Sequence, residues 1–296
     1  WRVLDAGAGL GATTLGAAEL AGRVGVERLE VTALERDAAS LDVFTQVARQ
    51  AAEDGLVPPI ALDARRADLD GLDVSRLPEA DLVLVGLTLN ELFTDRDEAD
   101  RRDAREAFVR DLAGRLRPGG ALVLLEPALR GPTRELQRLR DRLVEDGGAP
   151  YLFAPCLRDG PCPLLRRARD WCHDVLPFEL PEALADLAAS AGLRGERLTY
   201  ASLTLRAERR RLWDVADRDP HAFRIVGGPI GSKGKTEWDG CGAPGLVRLR
   251  LLDRERSEAN RAMEGAIRGT LVRLDREPAD GAQLRLRPDV PVERIG

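Results

Sequence analysis

Short apolar runs alternate with stretches of helical period through the first half of the chain. Residues 2–4 open a strand, 10–21 read as a helix, 29–34 as a second strand and 38–53 as a second helix. That second helix carries apolar positions at Leu41, Phe44, Val47 and Ala51, one face of a 3.6-residue repeat. Residues 81–87 form a nearly continuous apolar run, as suits a strand covered on both faces. A charged helix is predicted over about 97–116, after which Pro118-Gly119-Gly120 turns into a strand at 121–125. Alternation of this kind predicts a doubly wound α/β domain over residues 1–146, with a parallel sheet and right-handed crossovers.

The pattern breaks over 147–178, a stretch rich in Pro, Gly, Cys and Arg with no sustained period. It reads as an insertion. Helical period returns over 181–191, and 198–205 alternates like a strand. The span 179–275 is expected to finish the core sheet and add a small β-rich extension. Its strand candidates, 223–226 and 245–252, flank the glycine-rich segment 227–245. From 276 to 296 a polar, Pro-containing tail is expected to be loosely ordered. Trp1 stands almost on the first strand, so residues are expected to be missing ahead of it.

Composition narrows the classes. No apolar run reaches the roughly 18 residues of a membrane span. The net charge of −5 argues against simple non-specific nucleic-acid binding. Arginine clusters at 166–169 and 206–211 are nevertheless either local basic patches or solvated helix faces. Only two lysines occur, Lys233 and Lys235.

Candidate chemistry begins at the first turn. Val3-Leu4-Asp5-Ala6-Gly7-Ala8-Gly9-Leu10-Gly11 places glycines between a strand and a helix, where the backbone can approach a ligand closely. Glu35, at the end of the second strand, is positioned to accept both ribose hydroxyls of an adenosine. The order Asp5, Gly7, Gly9, Gly11 resembles the first motif of class I S-adenosylmethionine (SAM)-dependent methyltransferases. Arg117-Pro118-Gly119-Gly120 resembles a turn common among them, and Asp63, after the third strand candidate, sits where that superfamily often contacts adenine. The Asn/Asp-Pro-Pro-aromatic motif of amino-group methyltransferases is absent. The chain reads Gly86-Leu87-Thr88-Leu89-Asn90-Glu91-Leu92 there, and Asn90 and Glu91 either bind a substrate or cap the following helix.

Four cysteines, Cys156, Cys162, Cys172 and Cys241, complete one coordination sphere with none spare. Three lie in the Pro-rich insertion and the fourth in a glycine-rich loop. Their wide, irregular spacing suits an iron–sulfur cluster better than the closely paired cysteines of zinc sites, and zinc stays as the alternative. Arg158, Arg166, Arg167 and Arg169 are placed to offset the charge of four thiolates or to meet RNA phosphates. His173 is either a substitute ligand or a neighbour of one.

Taken together, the glycine loop, Leu89-Asn90-Glu91-Leu92, Glu126-Pro127, Ala154-Pro155-Cys156, Pro161-Cys162-Pro163 and Asp170-Trp171-Cys172-His173 resemble the Rsm-twenty-two family. Arg224-Ile225-Val226-Gly227-Gly228-Pro229, Cys241 and Gly245 resemble its C-terminal part. The resemblance implies a class I methyltransferase (Rossmann-like) fold with a cysteine-rich insertion and a β-rich extension. It also implies SAM binding, a [4Fe–4S] cluster on the four cysteines, and association with the RNA of the small ribosomal subunit during assembly. A cytoplasmic location follows for a bacterial relative of a mitochondrial family. Three functions remain: a non-catalytic assembly factor, an active rRNA methyltransferase, and a zinc-stabilised small-molecule methyltransferase.

Overall fold

A computed structural model describes residues 1–145, 147–192, 197–209, 219, 221–275 and 283–295. The first elements are β1 (Arg2–Ala6), α1 (Ala12–Arg23), β2 (Leu29–Glu35), α2 (Ala38–Glu53) and β3 (Ile60–Arg66). They are followed by β4 (Ala80–Gly86), α3 (Glu98–Ala113), β5 (Leu116–Pro127), α4 (Arg130–Glu145) and β6 (Tyr151–Ala154). Next come β7 (Asp174–Pro177), α5 (Glu182–Ser190), β8 (Arg197–Arg206), β9 (Ala222–Ile225) and β10 (Ile230–Ser232). The last are β11 (Lys235–Gly242), β12 (Gly245–Leu252), β13 (Leu271–Leu274), β14 (Gln283–Arg285) and β15 (Val292–Arg294).

The chain divides into two units. The first holds Trp1–Glu126, Leu139–Ala154 and Ser202–Leu212, and the second Pro127–Arg138, Pro155–Ala201 and Trp213–Gly296. In the first, the strand order is β3-β2-β1-β4-β5-β8-β6. β1 runs parallel to β2 and β4, β4 parallel to β5, and β8 antiparallel to β6. A late strand inserted before the sixth, in an otherwise parallel sheet, is the topology of class I SAM-dependent methyltransferases. Leu4, Val83, Val85, Leu122 and Leu124 bury their side chains fully in the central strands. Each such burial is worth about 1.5–3 kcal/mol. The helices begin where the chain offers a cap: the Asp37 carboxylate accepts from Ala39 and Ser40 N–H at the start of α2.

The second unit has a sheet of order β14-β12-β11-β9-β13-β15, with β10 pairing β11. Phe223, Ile225, Trp238, Val247, Leu249, Met263 and Val272 are its buried centre. In the same unit β7 pairs antiparallel with the start of β8, Asp174 opposite Tyr200.

Two expectations need correcting, and one helix was not expected. The stretch 147–178 is not wholly an insertion, because β6 joins the first unit's sheet through Tyr151–Arg206 and Leu152–Leu205. The polar tail carries two strands, β14 and β15, whose Leu284 and Val292 alternate into the second unit's core. Helix α4 went unread because its many arginines mask Leu136, Leu139 and Leu143, which are buried three and four residues apart. Of the arginine run at 206–211, Arg206 stacks over Phe153 and donates to Gly119 O, while residues 210 and 211 lie outside the described residues.

Candidate functional site

The glycine loop joins β1 to α1 at the carboxyl edge of the first unit's sheet. Gly7, Gly9 and Gly11 all take positive φ, at 83°, 51° and 85°. Their reasons differ. A Cβ on Gly7 would meet Thr88 Oγ1 at 2.2 Å, and one on Gly11 would meet the Phe44 ring at 2.0 Å, so these two glycines let the protein close on itself. A Cβ on Gly9 would meet nothing within 4 Å, so Gly9 faces open space. Beside it, Gly9 N–H donates to Glu35 Oε2 at 3.1 Å, and Asp37 N–H donates to Glu35 Oε1 at 3.0 Å. The Glu35 carboxylate is thereby fixed at the tip of β2, next to the loop.

Asp5 lies beneath the loop, fully buried. Its Oδ2 accepts from Thr13 Oγ1 at 2.9 Å and Thr14 Oγ1 at 2.6 Å, while its Oδ1 is buried without a hydrogen-bond partner. Burial raises its pKa despite the two hydroxyls. Asp5 thus ties the first turn of α1 to β1 and supports the loop from below. Asp63 differs from expectation. β3 continues to Arg66, so Asp63 sits inside the strand opposite Thr32, with its carboxylate held by Arg65 at 2.6 Å. The acid beyond the tip of β3 is Asp68, which caps a short 3-10 turn through Asp70 N–H.

The segment after β4 is a tight turn. Leu87 adopts a left-handed φ of 56°, uncommon for a branched side chain, and is 56% exposed. Thr88 Oγ1 stands 2.9 Å from Gly86 O and 3.3 Å from Gly7 O, which latches this turn to the glycine loop. Neither Asn90 nor Glu91 caps α3. That role belongs to Asp97, whose carboxylate accepts from Ala99 and Asp100 N–H. Asn90 and Glu91 lie instead in the 3-10 turn Leu89–Glu91. Glu126 Oε1, at the end of β5, accepts the Asn90 N–H at 3.2 Å. Arg105 on α3 donates to Asn90 O at 2.7 Å and to Leu92 O at 3.0 Å. The turn is held through its backbone from both sides.

Glu126 is 1% exposed, and burial raises its pKa to about 7 against the opposing pull of the Asn90 N–H and Arg105. Between its ordinary 4.5 and about 7, the folded chain holds a proton that the unfolded chain has released. Stability should therefore fall as pH rises through that window, by up to about 3 kcal/mol from this group. Glu126→Gln keeps an acceptor for Asn90 without a charge. Urea melts are expected to show the variant matching wild type near pH 4.5 and exceeding it by that margin at pH 8. Parallel pH profiles would remove the role given to the carboxyl.

The four cysteines all belong to the second unit. None is disulfide-bonded, and each is partly buried. Burial raises the thiol pKa of Cys241, and the nearby Cys156, Cys172 and Cys162 raise it further. Burial also raises Cys172 and Cys162, with Cys156 contributing to both. The four thiols thus influence one another electrostatically. Among the described residues, no group of three or more His, Cys, Asp or Glu is arranged to hold a metal ion.

The loop carrying Cys162 and Cys172 is pinned by one side chain. Arg134 on α4 donates to Leu164 O, Arg167 O and Asp170 O through Nη1 and to Leu165 O through Nη2, at 2.8–3.4 Å. Trp171 Nε1 donates to Ala128 O at 2.9 Å. His173 stacks on Trp171, and burial, with Arg268 nearby, lowers its pKa to about 4. It is neutral at physiological pH.

Of the arginines expected to balance the thiolates, Arg158 acts on Cys241, whereas Arg166, Arg167 and Arg169 are exposed. Arg224 was missed. It is 6% exposed, donates to Cys172 Sγ at 3.1 Å and is ion-paired with Asp174. Gln137, also missed, donates from Nε2 to Cys162 Sγ at 3.0 Å. Arg224 had a readable signal, since it is the one charge in the apolar strand Ala222–Ile225. Gln137 and Arg134 had none that stood apart from a helix face, and Glu126 had only its place in the Glu126-Pro127 resemblance.

No curated protein matches the chain. Among solved structures, a protein designated a methyltransferase from Thermoplasma acidophilum is 13% identical, with 71% of each chain covered and a TM-score of 0.43. The magnesium protoporphyrin IX methyltransferase of Synechocystis, solved with bound SAM, is 14% identical, with 69% of each chain covered and a TM-score of 0.34. The family model described as mitochondrial small ribosomal subunit Rsm22 matches residues 1–272. With that match running over nearly the whole length, the chain belongs to the Rsm22 family.

Proposed function

We propose that this chain is a methyltransferase-like assembly factor that binds the RNA of the small ribosomal subunit in the cytoplasm. It would hold SAM at the glycine loop and a [4Fe–4S] cluster on Cys156, Cys162, Cys172 and Cys241. The observation that carries the reading is the family match over residues 1–272, a span that includes both the loop and all four cysteines.

The residues fit SAM. Gly9 opens onto free space, and the Glu35 carboxylate beside it is suited to accept ribose hydroxyls. Gly7 and Gly11 shape the loop, Asp5 supports it, and exposed Leu10 and Leu87 offer apolar surface at the same sheet edge. Asp63 is the weakest member of the predicted set, because Arg65 engages its carboxylate.

The cysteines fit a cluster. The N–H donors that Gln137 and Arg224 direct at Cys162 and Cys172 favour the deprotonated ligands that iron needs, against the burial that raises these thiols. One thiolate per iron leaves the sulfurs further apart than four thiolates around a single zinc. Such a cluster supplies a one-electron couple and a four-point staple between the loop and β11.

A role without catalysis is favoured by the turn after β4. Its Asn90 backbone groups are engaged by Glu126 and Arg105, and no Pro-Pro-aromatic segment is present to hold an acceptor nitrogen. The test supplies anaerobically purified protein with small-subunit RNA and methyl-labelled SAM. Retention of the RNA without labelling is the expected result. Labelled RNA would establish the active methyltransferase instead, and no retention would defeat the assembly reading.

A further inference from the structure

Among the described residues, two of the four sulfurs receive side-chain donors and two do not. Gln137 Nε2 lies 3.0 Å from Cys162 Sγ, and Arg224 Nη1 lies 3.1 Å from Cys172 Sγ. Among the described residues no side-chain hydrogen bond reaches Cys156 or Cys241. Neither donor is incidental. Gln137 is buried on α4 with its Oε1 lacking a partner, so its amide is committed to the sulfur at the expense of its own acceptor. Arg224 is buried in β9, and Asp174 holds its other amino group, which fixes the guanidinium against Cys172.

A thiolate that accepts an N–H bond carries less available electron density, and a cation beside it favours any added negative charge. Both effects stabilise the reduced, more negative form of an iron–sulfur site. We propose, resting on the cluster reading of the four cysteines, that Gln137 and Arg224 are positioning residues that raise the reduction potential of the cluster. Arg224 contributes charge and a hydrogen bond, and Gln137 a hydrogen bond alone. Reduction adds one electron to the cluster and makes or breaks no bond at either residue.

The test is an anaerobic redox titration of the full chain with dithionite as the electron donor, followed by visible absorbance and electron paramagnetic resonance, with iron counted in each sample. Gln137→Leu keeps the volume, removes the donor and also removes the unpaired oxygen, so the fold should tolerate it. Arg224→Lys keeps the charge but loses the fork that spans Cys172 and Asp174. Each variant is expected to keep its iron and lose at least tenfold in the equilibrium constant for reduction, about 59 mV toward negative potential for one electron.

An iron-loaded Gln137→Leu with the wild-type potential would overturn the proposal, whatever Arg224→Lys does. Loss of iron from both variants would overturn it too, since the two residues would then hold the cluster together without poising it. A wild-type protein without iron would refute the cluster reading itself, and is told apart by the iron count before any titration.

Discussion

Cys162→Ser is expected to leave a chain with almost no iron and a melting temperature lowered by about 6–12 °C. Cys162 precedes the 3-10 turn Pro163–Arg166 and accepts the Leu165 N–H through its backbone, which serine preserves. Serine also keeps an acceptor for Gln137. The substitution therefore removes the thiolate while sparing the local backbone. A closed metal site contributes folding free energy directly, and losing one ligand of four should cost about 3 kcal/mol or more. For a unit of this size that converts to about 2–4 °C per kcal/mol. The second unit should stay folded, because Phe223, Ile225, Val247, Leu249 and Val272 form an apolar centre of their own. Iron and sulfide analysis after anaerobic purification reads the result. Undiminished iron would remove Cys162 from the ligand set, and one zinc per chain with no sulfide in the wild type would replace the cluster by the zinc alternative.

Gly9→Arg is expected to weaken SAM binding at least about 100-fold while leaving the fold intact. The three loop glycines make this a selective test. Substitution at Gly7 or Gly11 drives a side chain into Thr88 or Phe44, so a loss of binding there would report only a broken loop. At Gly9 the side chain enters open space, and the cost to the protein is the left-handed φ of 51°, about 1–2 kcal/mol. The arginine would occupy the region beside the Glu35 carboxylate, where the proposed function puts the ribose. Calorimetry with SAM measures the loss. Unchanged affinity in a variant that melts within a few degrees of wild type would refute the placement of the cofactor.

The parallel core was legible because its strands are apolar throughout and its helices repeat cleanly. Val3-Leu4 and residues 81–87 have no other plausible place than a sheet covered on both faces. The glycine loop and Glu35 were legible for a local reason: spacing along the chain fixes their neighbourhood once β1 and β2 pair, and Gly9 N–H does meet Glu35. Asp63 stands inside β3 and not after it, a matter of register. The apolar signal fades after Leu62, yet the ladder continues to Arg66 because backbone pairing with β2 needs no apolar side chain. Asn90 and Glu91 failed as helix caps because Asp97 lies closer to the first turn of α3.

What surrounds the sulfurs could not be read in advance. Gln137 is 25 residues from Cys162, and Arg224 is 52 from Cys172, separations that no local period encodes. Arg134 shows the same limit. On the sequence it is one more arginine of a charged helix, and only the folded loop turns Leu164, Leu165, Arg167 and Asp170 carbonyls toward it. Glu126 reads as a strand end; burial raises its pKa, and its hydrogen-bond partner Asn90 lies 36 residues away.

The most direct measurement is gradient sedimentation of a cell extract containing the tagged chain, with each fraction probed for the tag and for small-subunit RNA. The wild-type chain is predicted to migrate with small-subunit precursors, and Cys162→Ser to remain near the top of the gradient. A wild-type chain that stays at the top, free of ribosomal RNA, would contradict the account.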